Sequence, residues 1–440
     1  MNHVYRWAPM WALCICLAGL TACTDKKAPL KGERVALFDS RKALSVSFTA
    51  SREKILFPEN EKPNTWTQPG GNACKAWFPL QAGALNRKAF QINVGASVND
   101  RPGIIGEPIV AQYHVYTVDA NAVIHAVNYN TGKIEWKSPI NPEGVSANGQ
   151  RGGVVFDEDT LYAVSAQGHL VAIEPTDGTV KWRTQVEGIV RSVPTVDNGR
   201  ILVVTASNKI FAYDFGSGKL LWSHEGVPEQ TRIVGNACPA IYESVSLVPY
   251  GSGELYAFRV ENGYLLWSDV LETGANREAL STLPHIKSNP VIDFEKAFVV
   301  SHGGPLVAFD VKTGERVWEK AVGSISTPFV TGNSLFIVTT DNYLACLSRN
   351  KGGVRWIQKL PEPKNKSMGG KGRVTWYGPV VLSGGRIVVN SSHGEMLIMS
   401  AMDGEIQSRL QLPGPVDHGP VIANKRAYFV TQSGKLVVIE

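Results

Sequence analysis

Short apolar runs alternate with polar breaks along most of the chain, and one cycle of them recurs. Its clearest copy opens at Pro194 with a brief strand and breaks at Asp197-Asn198-Gly199-Arg200. It resumes as Ile201-Leu202-Val203-Val204-Thr205 and breaks again at Ala206-Ser207-Asn208. A third run, Ile210-Phe211-Ala212-Tyr213-Asp214, then turns at Gly216-Ser217-Gly218-Lys219 into a fourth that ends in Trp222. Runs of this length, rich in Val, Ile and aromatics and bounded by Gly, Asn and Asp, predict β-strands joined by tight turns. The Asn and Gly positions suit the positive φ of such turns. A proline at the opening marks a strand position where a missing backbone donor is tolerated. Four short antiparallel strands in each unit of about 40–50 residues are the pattern of a β-propeller blade.

The period confirms that the cycle is a repeat. Six of the eleven tryptophans lie four residues after a glycine: Gly132/Trp136, Gly178/Trp182, Gly218/Trp222, Gly263/Trp267, Gly314/Trp318 and Gly352/Trp356. A proline stands 24 residues before five of these glycines, at Pro108, Pro194, Pro239, Pro290 and Pro328, and Val154 takes that place in the second unit. A seventh unit runs from Pro379 to Gly404 with one extra residue and has Ser408 in the tryptophan position. An eighth begins at Pro420 and reaches Glu440 after only three strands, Val421-Ile422, Ala427–Val430 and Lys435–Ile439. The run Lys88–Val94 can supply its missing outer strand, with Phe90 in the tryptophan position. The predicted fold is therefore all-β, an eight-bladed propeller of four-stranded antiparallel blades whose last blade is closed by an N-terminal strand; seven blades with the last unit packed elsewhere is the alternative. Joining both termini in one blade removes the open sheet edges. Trp136, Trp182, Trp222, Trp267, Trp318 and Trp356 are expected to fill the space between adjacent blades, as large flat side chains do.

Composition changes this picture little. A chain of 440 residues exceeds the usual single domain, but closed repeat folds are the exception because each unit buries its core against its neighbours. A content of 43 Gly and 25 Pro suits many turns. The formal charge of +5, without a clustered basic stripe, does not indicate nucleic acid. The N-terminus adds more. Arg6 precedes an apolar run from Trp11 to Leu20, too short to span a bilayer, and then Leu20-Thr21-Ala22-Cys23. This resembles a bacterial lipobox, in which the cysteine is acylated and becomes the first mature residue. Thr24, rather than Asp, after it implies sorting to the outer membrane. The expected organisation is a signal peptide over 1–22, a lipidated tether and strap over 23–85, and the propeller over 86–440. Cys14 and Cys16 leave with the signal, so Cys74, Cys238 and Cys346 remain, too few and too irregular for a disulfide framework. Longer connections run from Leu271 to Lys287 and from Gln358 to Trp376; the second is basic, which a solvated loop explains, although such insertions on a ring are also where partners bind.

No catalytic constellation emerges. The histidines are scattered without metal-ligand spacing. Gly216-Ser217-Gly218-Lys219 lacks the spacing of a phosphate-binding loop and sits at a blade turn. Gly251-Ser252-Gly253 is a hairpin turn rather than a nucleophile elbow. No catalytic residue, metal or cofactor is expected. The unit Ala126–Trp136 resembles the repeat of pyrroloquinoline quinone dehydrogenases, which hold the quinone over the ring axis. The adjacent cysteines that accompany that chemistry are missing here. A fuller resemblance, carried by Gly168–Ile173, Asp177–Trp182, Arg191–Pro194 and the strap Asn64–Gly71, is to the BamB family of outer-membrane lipoproteins. That resemblance implies a non-catalytic scaffold on the periplasmic face of the outer membrane, anchored at Cys23. Its implied partners are the POTRA domains of a BamA-like barrel insertase and the other lipoproteins of the assembly machinery. The implied contact residues are Thr231, Ile233 and Val234 in one loop and His285 and Lys287 in another. The family pattern places arginine in the first loop and acids in the second, so its charge pairing does not carry over to Val234, His285 and Lys287. Two readings from other classes stay open: a periplasmic quinone-dependent dehydrogenase and a propeller that binds an envelope polymer.

Overall fold

In a computed structural model of the chain, the described residues are 44–59, 65–97, 106–147, 152–228, 237–271, 285–362 and 374–440. They form eight four-stranded antiparallel sheets, and in seven of them the strands follow one another in chain order. The first blade consists of Ile109–Ala111, His114–Val118, Val123–Asn128 and Ile134–Pro139. The eighth combines Val421–Ala423, Arg426–Val430 and Lys435–Ile439 with Lys88–Asn93, so the ring is closed by the N-terminal strand as the pattern predicts. Within each blade the first three strands are buried almost throughout. Arg200–Val204 and Lys209–Asp214, for instance, have buried interiors, whereas the outer strand Leu220–Glu225 alternates between half-buried and exposed. The apolar runs of the sequence are thus inner strands covered on both faces by neighbouring blades, and the alternating run is the edge.

One contact repeats around the ring. The indole of Trp136 lies over Gly178 of the next blade, that of Trp182 over Gly218, of Trp222 over Gly263, of Trp267 over Gly314, of Trp318 over Gly352 and of Trp356 over Gly404. Each indole Nε1 also donates to the carbonyl three residues before that glycine: Pro175, Phe215, Val260, Val311, Arg349 and Ala401, at 2.9–3.2 Å. These glycines have positive φ and close their turns by donating to the carbonyl four residues back, as Gly178 does to Glu174 at 2.9 Å. Within its own blade each tryptophan faces a small residue across the ladder: Ala126, Ala172, Ala212, Ala257, Ala308, and Cys346 in the sixth blade. The seventh blade exchanges the two sizes, with Ile398 opposite Ser408. Phe90 plays the tryptophan's part in the eighth, lying over Gly132 of the first. Only between blades seven and eight does the turn give way to the seam of the termini, where Glu440 and Arg87 pair through backbone and side chain.

A Cβ added at Gly263 would lie 2.6 Å from the Trp222 ring at a backbone φ of +71°, whereas one at Gly144, φ +82°, would meet nothing within 4 Å. Gly263→Ala is therefore expected to cost about 2–3 kcal/mol, through strain and a displaced indole, and Gly144→Ala about 1 kcal/mol from strain alone. Denaturant midpoints of the two variants against the parent chain measure the difference.

Candidate functional site: the ring axis and the loops around it

In each blade the inner strand bonds the second strand along one edge and turns its other edge to the ring axis. Those backbone groups need partners. The chain supplies them itself, from the strap. Trp66 exchanges both backbone bonds with Val110 of the first blade, at 2.7 and 2.9 Å, and the Thr67 carbonyl accepts from Phe156 of the second at 2.8 Å. The Gln68 side chain imitates a peptide, donating to the Val196 carbonyl at 2.6 Å and accepting from its amide at 3.0 Å. The Ala73 and Cys74 carbonyls accept from Ile241 and Ile292 of blades four and five, at 3.0 and 2.9 Å. Leu80 bonds Val381 and Ser383 of the seventh blade, and Gly83 donates to Lys425 of the eighth. Residues 66–83 therefore pass from blade to blade along the axis before the chain enters Lys88–Asn93. They run inside the ring.

The strap holds its course through tight packing. Gly70 and Gly71 both have positive φ, and the Trp77 indole fills the space where a Gly71 side chain would be, donating to the Gly70 carbonyl at 2.8 Å. Trp77 stacks on Trp66 at 5.9 Å between ring centroids. Glu107, just before the first inner strand, accepts from Trp66 Nε1 at 3.3 Å and from the Gly70 amide at 3.1 Å. Burial pushes the Glu107 carboxyl up, while those two donors and Lys75 oppose the shift. Lys75 is itself buried, and burial pulls its ammonium down against the attraction of Cys238, Cys74, Glu107 and Asp197. At the ends of the inner strands of blades two and three, Asp157 and Asp197 crowd together. Asp157 is pushed up to about 7, first by burial and then by Asp197 and Glu158. The Gly-Gly pair was the one signal in the sequence that marked this turn. Nothing in the local pattern paired Glu107 with Trp66 or Lys75 with Asp197.

The loops that enter each blade share a face with the turns between second and third strands, because successive strands are antiparallel. His285 and Lys287 stand there, in the loop entering blade five. His285 is 2% exposed, with its ring against Gly251, and its carbonyl accepts from the His302 amide at 2.9 Å. Lys287 is half-buried. Burial pulls its ammonium down, and Asp417, in the loop entering blade eight, opposes that shift. Burial and the Lys287 charge lower His302. Burial and Asp417 lift the Tyr377 phenol above its usual range. Lys287 thus feels the charge of Asp417, and His302 that of Lys287, relations between blades five and eight that sequence spacing did not suggest. Ser192 and Ser288, each two residues before a blade-opening proline, tie these entry loops down by donating to Val204 and Val300 at 3.1 and 2.7 Å. Thr231, Ile233 and Val234, Cys23, and most of the two long connections lie outside the described residues. Gly216–Lys219 is a blade turn in which Asp214 accepts from the Ser217 amide at 2.8 Å. Among the described residues no group of His, Cys, Asp and Glu is placed to hold a metal ion, and Cys74, Cys238 and Cys346 are free thiols.

The fold defines the class: an eight-bladed repeat propeller with a strap of its own chain along the axis. The profile of the outer membrane protein assembly factor BamB matches residues 120–358, more than half of the chain, and the chain belongs to that family. It is 23% identical over 354 residues to the outer membrane protein assembly factor BamB of Yersinia pestis, covering 79% of this chain and 87% of that protein. The protein of the same name from Shewanella oneidensis is 22% identical over 368 residues, with 82% and 90% covered. Among solved structures, BamB from Moraxella catarrhalis superposes with a TM-score of 0.65 at 19% identity, covering 80% of this chain and 98% of its own. The quinohemoprotein alcohol dehydrogenase from Comamonas testosteroni shares the fold at a TM-score of 0.64 and 13% identity, with 91% of this chain and 83% of its own covered.

The Asp157 environment has a consequence for stability. A carboxyl whose folded value is near 7, against about 3.9 when unfolded, keeps in the folded chain a proton that the unfolded chain releases. Stability from this site is therefore full below pH about 4 and declines as pH rises to about 7. Solvent around a half-exposed carboxyl reduces the loss to roughly 1–2 kcal/mol. Asp157→Asn is expected to raise stability at pH 8 by that amount and to leave it little changed at pH 4, read from melting temperatures at the two values.

Proposed function

We propose that this chain is a non-catalytic scaffold of outer-membrane β-barrel assembly, acylated at Cys23, held on the periplasmic face, and docked on the POTRA domains of a BamA-type insertase. Membership of the assembly-factor family carries the reading. The self-filled axis supports it from a different direction. The axis-facing edges of six inner strands are already bonded by residues 66–80, so those backbone groups are not available to a quinone or substrate. The entry-loop face, which carries Lys287, His302 and Asp417, offers polar groups to a protein partner. Thr231, Ile233, Val234, His285 and Lys287 are the proposed contact positions. The buried His285 ring would serve by holding its loop in shape, and Lys287 by touching the partner.

The fold shared with an alcohol dehydrogenase gives the second reading its one support. Two experiments separate them. A detergent pull-down of the acylated chain is expected to recover an outer-membrane barrel that carries POTRA domains, and Lys287→Glu is expected to weaken the capture about tenfold by reversing a charge at the contact. Recovery of no such barrel would sink the scaffold reading. Incubation with pyrroloquinoline quinone and calcium is expected to leave the chain without quinone absorbance after gel filtration; a bound quinone with dye-linked alcohol oxidation would establish the dehydrogenase reading instead. Labelled palmitate is expected on the parent chain and not on Cys23→Ala.

A further inference from the structure

The strap begins on the sixth blade, and there it presents a surface that the assembly role leaves unused. Between Leu44 and Phe57 the chain is pinned at intervals. Leu44, Ala50 and Ile55 are buried, and the Ser47 amide donates to the Val354 carbonyl at 2.8 Å. Asn333 accepts from the Leu56 amide at 3.0 Å and donates to the Lys54 carbonyl at 2.9 Å. Glu53 pairs with the buried Arg355 at 3.2 Å, and Phe57 stacks on Phe336. A segment held this firmly turns its other side chains outward: Val46, Phe48 and Leu56 are 49%, 69% and 54% exposed. Met402 of the seventh blade, 52% exposed, extends the patch, since its Cε and the Phe57 ring both lie within 3.7 Å of a Cβ built at Gly385.

The charges around the patch have a sign. The Arg52 guanidinium lies 3.8 Å over the Phe48 ring, and Lys54 and Lys351 are exposed. Of the nearby carboxylates, Glu53 is already paired with Arg355, which leaves Glu59 beside the strap and the exposed Asp403 and Glu405 beyond Met402. The stretch from Cys23 to Leu44 continues the excess: Lys26, Lys27, Lys31, Arg34, Arg41 and Lys42 stand against Asp25, Glu33 and Asp39. Its ends are 21 positions apart, so its reach is at most about 75 Å, and it joins the described chain at Leu44, beside the patch. Apolar side chains amid basic ones are what an anionic lipid surface takes up: rings and methyls enter at the headgroup boundary while Lys and Arg stay with the phosphates.

We propose that Val46, Phe48, Leu56 and Met402, with Arg52, Lys54 and Lys351, form a membrane-resting face that seats the sixth-blade side of the ring on the anionic lipid surface carrying its anchor. The proposal rests on the reading of Cys23 as an acylated anchor. It assigns the patch a different task, which is to orient the ring rather than retain it.

The test uses residues 24–440, which keep the strap and all eight blades but lack the acylated cysteine, with vesicles of phosphatidylcholine alone or with phosphatidylglycerol. Cosedimentation is expected to be at least about fivefold greater on the anionic vesicles and to fall steeply between 0.1 and 0.5 M salt. Val46→Ser/Phe48→Ser/Leu56→Ser and, separately, Arg52→Glu/Lys54→Glu are each expected to reduce it about tenfold. Tyr264→Ser/Leu265→Ser, which removes exposed apolar groups of blade four, is expected to leave it unchanged. Unaltered melting temperatures establish that the variants fold. Binding by neither vesicle, equal binding by the strap variants and the parent, or an equal loss in the blade-four variant would each overturn the proposal. Because the anchor is absent from this assay, a failed palmitate label at Cys23 with intact vesicle binding would remove the lipoprotein reading and leave the patch standing.

Discussion

Each tryptophan of the ring makes two demands on the blade after it. Its indole needs a flat, empty place to lie, which only a glycine in a positive-φ turn leaves open. Its Nε1 needs an acceptor, which the carbonyl three residues before that glycine provides. The pair therefore joins a packing contact to a directional bond, and it fixes both the spacing and the rotation of neighbouring blades. Within the blade the same indole needs a small residue across the ladder, and alanine stands there in five blades and Cys346 in the sixth. Six repetitions of this set propagate one geometry around the ring. Phe90 carries it across the closing seam, and the Ile398/Ser408 exchange preserves the volume where the tryptophan is lost.

A ring assembled this way leaves eight inner edges facing its axis, and what fills that space governs what the protein can do. Here residues 66–80 bond six of those edges, and the chain then continues into the outer strand of the last blade. The axis strap and the ring closure are thus one continuous piece of chain, so ordering either helps order the other. Buried polar groups accompany it: Gln68 standing in for a peptide, and Glu107 receiving Trp66 and Gly70. Such groups are costly unless paired, and pairing makes the path of the strap specific. An axis held so firmly by the chain itself has those backbone groups already engaged, in a chain that belongs to a family of assembly factors.

The blade repeat was legible because it is local. Strand, turn and the Gly-to-Trp interval all lie within one unit, and their recurrence makes chance agreement easy to reject. Even the incomplete eighth unit could be completed from Lys88–Val94, since period and register select the same residues. The site was far less legible. Thr231, Ile233 and Val234 came from resemblance alone, and so did His285, whose ring is buried beneath its loop. Burial lowers the Lys287 ammonium, and Asp417, which lies 130 positions further on, opposes that shift. No period connects the two.

What the sequence determined by itself was the secondary structure, the number of blades, the role of the termini in closing the ring and the candidate anchor at Cys23, because each is written in neighbouring residues or in their repetition. The tertiary structure alone decided that the strap runs along the axis instead of over the surface. A segment without periodicity carries no sign of where it will bind, and its place was set by unpaired backbone edges that exist only once eight blades have met. The same holds for Lys287 with Asp417 and for Val46, Phe48 and Leu56. Their proximity or exposure follows from how the ring closes, and ring closure is a property of the whole chain.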